Sequence, residues 1–236
     1  LGVALGRGDA TFRAAPILKY DEGRPISPVI ADVNRDGNND LVVSGTSTKT
    51  FGVFLGQGQG SFSRASFFSA TTEPDQIASA SMDPDPHLDL VFNTRDGQVG
   101  VMAGDGDGNF APPRLFPGGY GLAVADLDGD GHPDVVSKTN DAVVVLLNDE
   151  TGGLRKGVNY PAGTEIRVLA TGDLNKDGRV DILAGATVSN TLAVLLGDGD
   201  GTFLPATLTK FAGTVTDLAV SDFTNYAAVR VPLQKA

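Results

Sequence analysis

The segment ADLDGDGHPD (residues 125–134) decides the fold, because copies of it recur along the chain at a nearly constant spacing. Two further copies are complete, ADVNRDGNND (31–40) and GDLNKDGRVD (172–181). A degenerate copy, SMDPDPHLD, begins at Ser81, and a vestige begins at Ser221. The first loop positions are 32, 81, 126, 173 and 222, so successive copies are 49, 45, 47 and 49 residues apart. This spacing predicts five copies of one structural unit.

A second motif, typified by LGDGDGTF (196–203), repeats with the same period. Its copies end at Phe12, Phe62, Phe110, Leu154 and Phe203. Gly and Asp tolerate the positive φ angles of tight hairpins, so the motif indicates a turn between two strands. We therefore interpret its acids as turn residues and not as metal ligands: Asp105, Asp107, Asp198 and Asp200. We expect the recurring phenylalanines to pack between units: Phe12, Phe62, Phe110 and Phe203.

Each unit contains four strand-like runs and no convincing helical period. In the fourth unit the runs have six to nine residues: EIRVLATGD (165–173), DILAGA (181–186), TLAVLLG (191–197) and TFLPATLTK (202–210). Four antiparallel strands in about 45 residues are typical of a propeller blade. The sequence therefore predicts an all-β protein, a single β-propeller domain over residues 1–236 with five blades of four antiparallel strands.

The two ends of the chain are predicted to share one blade. Blade repeats are expected at 26–68, 75–117, 120–160 and 165–211, and in 214–232 together with 1–20. The first 20 residues resemble third and fourth strands, and residues 214–232 resemble first and second strands. We expect the N-terminal strands to complete the C-terminal blade and close the ring, which also removes exposed sheet edges.

The acidic segments follow the pattern D-x-[DN]-x-D-G-x-x-D, which suits a hard cation wrapped by oxygens. Positions 1, 3 and 5 turn side chains inward, Gly at 6 permits the bend, the carbonyl at 7 adds a ligand, and a carboxylate at 9 closes the shell. We name these segments loop 1 (32–40), loop 2 (81–89), loop 3 (126–134) and loop 4 (173–181). Loops 1, 3 and 4 predict three Ca²⁺ sites. Their ligands are Asp32, Asn34, Asp36, Asn38 and Asp40; Asp126, Asp128, Asp130, His132 and Asp134; and Asp173, Asn175, Asp177, Arg179 and Asp181.

Loop 2 predicts a weak fourth site, since Ser81 and Pro86 replace the first acid and the glycine. Its remaining ligands are Asp83, Asp85, His87 and Asp89. The fifth copy retains Asp222 and little else, which predicts no site. Mg²⁺ favours keeping its waters over an all-protein cage, and a chain without Cys and with two His is poor in zinc or copper ligands.

The net charge of −11 argues against nucleic acid as a partner, because phosphate binding requires basic patches. Ten of the carboxylates belong to loops 1, 3 and 4, so much of this acidity is predicted to be ligand. No apolar run reaches the roughly 18 residues of a membrane span, so direct membrane insertion is not expected. We expect a secreted or cell-surface protein whose leader is not part of this sequence.

The pairing of LLGDGDGTF (195–203) with ADLDGDGHPD at one repeat of spacing resembles the FG-GAP/VCBS repeat family, seen in integrin α-subunit propellers and exported bacterial proteins. The resemblance covers nearly the whole chain. It implies a β-propeller with Ca²⁺ between the first and second strands of blades, and extracellular adhesion or ligand binding. Familiar members have more than five blades, so a fragment of a larger ring is an alternative. Loop 4 also resembles dockerin and EF-hand loops, but Ala184 stands where those require an acid.

These observations favour a non-enzymatic binding or adhesion module for a protein or glycan ligand, and they are compatible with oligomers. The alternatives are a lectin with sugar pockets on the propeller rim, which here lacks Trp, and a polysaccharide-active lyase or hydrolase. Both histidines occupy position 7 of a loop, where the backbone carbonyl is the expected ligand. Candidate contact surfaces are Tyr20 with Arg24, Phe67 with Phe68, Arg95, Phe116 with Tyr120, and Tyr160 with Arg167.

Overall fold

The computed structural model describes residues 1–213, 215–222 and 227–230, and all regular structure in these ranges is β-strand. Within these ranges, twenty strands, β1 to β20 in chain order, form four four-stranded sheets and two two-stranded sheets. Within the same ranges no helix is present that could cross a membrane. The predicted all-β class is therefore confirmed.

The four large sheets each use four strands that are consecutive in the chain, and we call them blades 1 to 4. Blade 1 contains β3 (Arg24–Ala31), β4 (Asp40–Thr46), β5 (Thr50–Phe54) and β6 (Ser66–Ser69). Blade 2 contains β7 (Pro74–Ala80), β8 (Asp89–Thr94), β9 (Gln98–Met102) and β10 (Arg114–Pro117). Blade 3 contains β11 (Tyr120–Ala125), β12 (Asp134–Lys138), β13 (Ala142–Leu146) and β14 (Val158–Pro161). Blade 4 contains β15 (Ile166–Gly172), β16 (Asp181–Ala186), β17 (Thr191–Leu195) and β18 (Thr207–Lys210).

The two-stranded sheets lie at the two ends of the chain. They are β1 (Ala4–Gly6) with β2 (Phe12–Ala14), and β19 (Ala219–Asp222) with β20 (Ala227–Arg230). The turn of the N-terminal hairpin has Gly8 and Ala10 at φ 81° and 64°, as Gly58 and Gly60 have φ 77° and 79° in blade 1. The hairpin thus has the local geometry of third and fourth blade strands. In the predicted fifth blade, residues 214, 223–226 and 231–232 lie outside the described residues, so its closure stays a prediction.

The chain forms two compact units, and the predicted single domain stays a prediction. The N-terminal unit comprises residues 1–81, 85–96 and 100–115, and the C-terminal unit comprises 82–84, 97–99 and 116–236. Each unit has its own apolar core, built from the alternating inward residues of its strands. The N-terminal core includes Val42, Val53 and Leu90, together with Phe51 and Phe92, whose ring centroids are 4.9 Å apart. The C-terminal core includes Val136, Val143, Ile182, Ala184 and Ala193.

The first strand of every blade has a register shift near its start. The shifts lie between Ile26 and Val29, Pro74 and Ile77, Tyr120 and Ala123, and Ile166 and Val168. An extra residue at such a bulge breaks the strict inward–outward alternation and redirects a side chain. The alternation of inward and outward side chains is therefore interrupted near the start of the first strand of each blade.

The recurring phenylalanines confirm the predicted packing in three of four cases. Phe110 and Phe203 are buried, with 8% and 6% of their surface exposed, and Phe62 packs against Leu41 and its neighbours. Phe12 is 69% exposed, and its packing stays a prediction because it depends on the predicted closure of the fifth blade. Phe12 lies on β2, in a sheet of two strands, so the described residues offer its ring less cover than a full blade would.

Candidate metal centre

The acidic loops connect the first and second strands of their blades and curl as the sequence predicts. In loop 1 the carboxylate of Asp32 accepts hydrogen bonds from the N–H groups of Asp36, at 3.1 Å, and Gly37, at 2.9 Å. Gly37 has a φ of 86°, a conformation that favours glycine. Loop 4 repeats this geometry, because Asp173 accepts from the N–H of Gly178 at 2.9 Å. The carboxylate at position 1 therefore holds the curled backbone of loops 1 and 4 through these hydrogen bonds.

Loop 3 brings three carboxylates together. Asp126, Asp128 and Asp130 each offer an oxygen within 4.8 Å of the others, and they form the one such group among the described residues. Oxygens at about 2.3–2.6 Å from a shared Ca²⁺ would lie no more than about 5 Å apart, so the donor set fits a divalent cation. Partial burial raises the pKa of Asp128, and the charges of Asp130 and Asp126 raise it further. A cation would relieve this repulsion.

Loops 1 and 4 have an asparagine at position 3 and therefore fewer charges. Asn34 donates a hydrogen bond to Asp36 at 3.1 Å, and Asn175 donates one to Asp177 at 2.9 Å. Hydrogen bonds from the Asn38 N–H and the Asn34 amide lower the pKa of Asp36, and the Asn175 amide does the same for Asp177. The N–H of Arg179 also donates to Asp177, at 2.9 Å. These bonds hold the position-5 carboxylates in place and keep them ionised.

The aspartate at position 9, which we predict as a metal ligand, also makes hydrogen bonds that the sequence did not predict. Asp134 is fully buried, and its carboxylate accepts hydrogen bonds from the N–H of Leu127, at 2.8 Å, and of Asn148, at 2.7 Å. Leu127 belongs to loop 3, and Asn148 begins the turn between the third and fourth strands. We call this joint the carboxylate clasp. Asp134 lies outside the cluster of three carboxylates, and burial raises its pKa to about 6.

The carboxylate clasp recurs in the other blades. Asp40 accepts from Val33 at 2.8 Å and from Gly56 at 2.7 Å, and burial raises its pKa. In blade 4, Asp181 accepts from Leu174 at 2.8 Å and from Gly197 at 2.9 Å. In blade 2, Asp89 accepts from Gly104 at 2.8 Å. Each clasp joins the acidic loop of a blade to the turn between the third and fourth strands of the same blade.

Glycine begins three of these turns because backbone atoms of the loop lie against it. A Cβ on Gly56, Gly104 or Gly197 would clash with a carbonyl oxygen of loop position 8. Blade 3 has Asn148 at this place, and its amide donates to the carbonyls of Met82, at 2.9 Å, and Pro133, at 3.0 Å. Sequence reasoning missed this residue, although the departure of LNDETGGL from the turn motif marks it.

Loop 2 keeps the hydrogen bond from its position-9 aspartate to the next turn, and serine replaces its first acid. The hydroxyl of Ser81 donates to the carbonyl of Asp85 at 2.9 Å, where the intact loops have a carboxylate. Among the described residues, Asp83, Asp85 and Asp89 do not form a group of three converging carboxylates, and neither do the acids of loops 1 and 4, so the weak fourth site stays a prediction. The His87 ring lies 3.4 Å from the Asp85 carboxylate and packs close to Gly106. Asp222 lies in β19, and the four residues that follow it are outside the described ranges.

The acids of the GDGDG turns behave as turn residues. Asp105 accepts from the N–H of Asp107, at 2.8 Å, and from Asn109. Asp200 accepts from the N–H of Thr202 at 3.0 Å. These local bonds lower the pKa of Asp105 and of Asp200. Their role matches the sequence prediction.

Most of the candidate contact aromatics pack inside their units. Tyr20 lies against Phe67, with ring centroids 5.5 Å apart, and Tyr160 lies against Phe203 at 5.6 Å. Tyr120, in contrast, is 45% exposed. Together with Arg167 it lines a cavity of about 350 Å³ in the C-terminal unit.

The sequence has recognisable relatives. A model of the FG-GAP-like repeat matches residues 82–137, 126–184 and 173–225, which together make up more than half of the chain. Integrin alpha-7 of Homo sapiens is 32% identical over 131 residues, which are 44% of this chain and 10% of the integrin. The chain therefore matches only a small part of the length of that relative.

Two solved structures share the fold. One is an Agrocybe aegerita lectin that recognises non-reducing terminal N-acetylglucosamine, with a TM-score of 0.70 and 22% identity, covering 97% of this chain and 67% of the lectin chain. The other is BBS1N in complex with ARL6DN, with a TM-score of 0.59 and 14% identity, covering 92% of this chain and 62% of that one. At these identities the likeness concerns the fold alone, and it agrees with propeller-type blades.

Proposed function

The chain belongs to the FG-GAP-like repeat family, and on this basis we propose that it is a non-enzymatic extracellular binding module whose acidic loops hold structural Ca²⁺. The observation that carries the proposal is the convergence of Asp126, Asp128 and Asp130 in a loop that Asp134 fastens to the neighbouring turn. A bound cation would neutralise the three carboxylates and stiffen the loop that joins the first two strands.

The proposed Ca²⁺ sites are loops 1, 3 and 4. Loop 3 has the strongest donor set, because it alone has three carboxylates at positions 1, 3 and 5. In loops 1 and 4 an asparagine replaces one charge, so we expect weaker binding there. The carbonyls of Asn38, His132 and Arg179 are the proposed position-7 ligands. In loop 2, Ser81 and Pro86 replace the first acid and the glycine, so we propose only a weak fourth site there.

A non-catalytic role agrees with how the buried carboxylates are used. Asp40, Asp134 and Asp181 are fully buried and accept hydrogen bonds from backbone N–H groups. These hydrogen bonds join each of the three carboxylates to the backbone of its own blade. His132 lies in loop 3, where its own N–H donates to Asp130 at 2.7 Å. The hydrogen bonds of these three aspartates support the proposal of a non-catalytic role.

A glycan or a protein is the proposed ligand, and a secreted or cell-surface location is the proposed setting. Support comes from the relationship to an integrin subunit and from the shared fold with a lectin. Extracellular Ca²⁺ in the millimolar range would fill even weak loops.

We further propose that the five repeats close into one ring, with β1 and β2 completing the blade begun by β19 and β20. Leu5 packs against Gly60 and Leu55 against Gly108 in the N-terminal unit, and Leu147 packs against Gly201 in the C-terminal unit. In each contact the first residue of one turn motif lies against the sixth residue of the next motif. In a closed ring the first residue of the last motif, Leu196, would therefore lie against the sixth residue of the first motif, Ala10. Closure would also cover Phe12, which is 69% exposed, and Ile30, which is 70% exposed.

A glycan array probed with the purified chain tests the function. We expect bound glycans in millimolar Ca²⁺ and no release of reducing ends from polysaccharides over the same period. Release of saccharide products by the wild type would contradict the non-enzymatic proposal. Absence of glycan binding by a folded chain would leave a protein as the proposed ligand.

A further inference from the structure

The turn of the N-terminal hairpin, LGRGDATF (5–12), combines two opposite charges that no other copy of the turn motif combines. Its third and fifth residues are Arg7 and Asp9, and Gly8 lies between them. We call these three residues the charged tip. The third residue of the other copies is neutral or acidic: Gln57, Asp105, Asp149 and Asp198. Arg7 is therefore a departure from the repeat.

The fold of this turn does not depend on an arginine. The backbone N–H of Arg7 donates to the carbonyl of Thr11 at 3.0 Å, and the same bond runs from Gln57 to Ser61 at 2.9 Å in blade 1. The backbone therefore closes in the same way over either side chain. Among the described residues, the guanidinium of Arg7 makes no hydrogen bond or ion pair, so it is available to a partner.

All three residues of the charged tip are exposed. This exposure does not depend on whether the fifth blade closes, because the third and fifth turn residues are also exposed within complete blades: Gln57 and Gln59 in blade 1, Asp105 and Asp107 in blade 2, and Asp198 and Asp200 in blade 4. Exposed loops on a rigid scaffold are common sites of binding. The charged tip is therefore accessible to a macromolecule.

The carboxylate of Asp9 has one fixed oxygen and one open oxygen. Its Oδ1 accepts hydrogen bonds from the hydroxyl of Thr11, at 2.6 Å, and from the N–H of Thr11, at 3.0 Å. These bonds lower the pKa of Asp9, so the carboxylate is ionised at neutral pH. The other oxygen accepts no hydrogen bond within the described part of the chain. Since the carboxylate is already oriented, binding through the open oxygen costs little conformational entropy.

Gly8 leaves the backbone between the two charges uncovered. Its φ of 81° is a conformation that favours glycine. A Cβ placed on it would meet no described atom within 4 Å. A partner can therefore approach the backbone at this point and contact Arg7 and Asp9 at the same time.

We propose that the charged tip docks into a cleft of a cell-surface adhesion receptor, where a divalent cation held by the receptor lies beside a receptor carboxylate. The inference rests on the proposed function, since it names a surface and a protein partner for the same binding module. The open oxygen of Asp9 binds the receptor's cation, because hard cations favour carboxylate oxygens. The guanidinium of Arg7 binds the receptor's carboxylate through two parallel hydrogen bonds.

The two charges together select this kind of partner. A nucleic acid or an anionic membrane would attract Arg7, but it would repel Asp9 and the rest of a chain of net charge −11. A cleft with an acidic group alone would likewise repel Asp9. A receptor with a cation and a carboxylate side by side satisfies both side chains.

Surface plasmon resonance with the Ca²⁺-loaded full chain tests the inference. The probe is a purified integrin ectodomain that binds the free peptide Gly-Arg-Gly-Asp-Ser in Mg²⁺. We expect the wild type to bind this ectodomain and the free peptide to compete. Asp9→Glu keeps the charge but moves the carboxylate by one methylene, and Arg7→Gln removes the guanidinium. Each should bind about tenfold more weakly than the wild type. Arg7→Gln should fold, since Gln57 occupies the same turn position in blade 1.

Asp200→Glu is the matched control. Asp200 has the same turn position as Asp9 and the same kind of partner, Thr202, but an aspartate stands where Arg7 precedes Asp9. Its affinity for the ectodomain should equal that of the wild type, and melting curves show whether each variant is folded. Binding that is unchanged in both folded tip variants would contradict the site and leave a protein-binding function intact. A folded wild type that does not bind the ectodomain would overturn the inference, whereas the glycan array tests the proposed function separately.

Discussion

The backbone N–H of Asn148 donates a hydrogen bond of 2.7 Å to the carboxylate of Asp134, 14 residues before it in the chain. The second oxygen of Asp134 accepts from Leu127, so one buried side chain holds the acidic loop and the following turn together. Asp89 makes the equivalent bond to Gly104 in blade 2, whose loop lacks a complete ligand set. The position-9 aspartate therefore has a structural role even in the loop whose ligand set is incomplete.

The clasp predicts that Asp89→Asn destabilises the protein independently of metal. The substitution keeps one acceptor oxygen for Gly104 but removes the charge of the acceptor, and a hydrogen bond to a charged group contributes about 1 kcal/mol more than a neutral one. Urea unfolding should show a loss of this size that is the same in EDTA and in Ca²⁺. Asp107→Asn, at an exposed acid in the next turn, is the control and should change stability little. A loss confined to Ca²⁺-loaded protein would show that Asp89 acts through a cation.

The close packing of the turn predicts that Gly197→Ala is costly. A new Cβ there would meet the carbonyl oxygen of Val180, which is backbone and cannot rotate away. We expect a loss of about 1–3 kcal/mol in the free energy of unfolding. Gly6 occupies the same place in the N-terminal repeat, where a Cβ would make only an ordinary contact with Phe12 among the described residues. Equal losses in Gly197→Ala and Gly6→Ala would refute the packing explanation.

Ring closure predicts a specific disulfide. The chain has no native Cys, so Leu196→Cys combined with Ala10→Cys introduces the only pair of thiols. In a closed ring these positions correspond to Leu5 and Gly60, which are in contact in the N-terminal unit. Oxidation should therefore cross-link the double variant within one chain, as it should the reference pair Leu5→Cys with Gly60→Cys. A reference pair that cross-links beside a test pair that stays reduced or forms dimers would count against closure.

The buried acids predict how stability depends on pH without metal. Burial raises the pKa of Asp134 from 3.8 to about 6, so over this interval the folded chain holds a proton that the unfolded chain has lost. Its contribution to stability falls as pH rises through that window, and the raised pKa of Asp40 acts in the same direction. In EDTA the melting temperature should be higher near about pH 5 than near about pH 7.

Bound Ca²⁺ acts against this pH dependence of the melting temperature, because it binds ionised carboxylates. The gain in melting temperature on adding Ca²⁺ should therefore be larger near about pH 7 than near about pH 5. The acids with a lowered pKa, such as Asp36, titrate below this range and do not interfere. A metal-free melting temperature that rises between the two pH values would contradict this assignment.

The sequence predicts the features that depend on local chemistry repeated along the chain. The period, the four strands of a blade and the curled loops follow from Gly and Asp at fixed positions, and Gly37 and Gly58 have the positive φ angles this requires. The turn role of Asp105 follows in the same way, since its partners are a few residues away.

Features that depend on contacts distant in sequence could not be predicted. The bond from Asn148 to the carbonyl of Met82 spans 66 residues, and no local pattern indicates it. The sequence indicates Tyr120 and Arg167 as candidate contact residues, but it does not show that they line one cavity, because they belong to different blades. The burial of Phe12 cannot be read from its repeat position alone, since a repeated residue is buried only where neighbouring strands cover it.

Thermal melting of the wild type and of Asp126→Asn/Asp128→Asn/Asp130→Asn, each in EDTA and in millimolar Ca²⁺, tests the central claim most directly. A cation bound by the folded state alone raises the melting temperature. We predict that Ca²⁺ raises the melting temperature of the wild type clearly and that of the triple variant much less, while Mg²⁺ at the same concentration has a smaller effect. A wild-type melting temperature that is the same in EDTA and in Ca²⁺ would contradict the claim that these loops hold structural calcium.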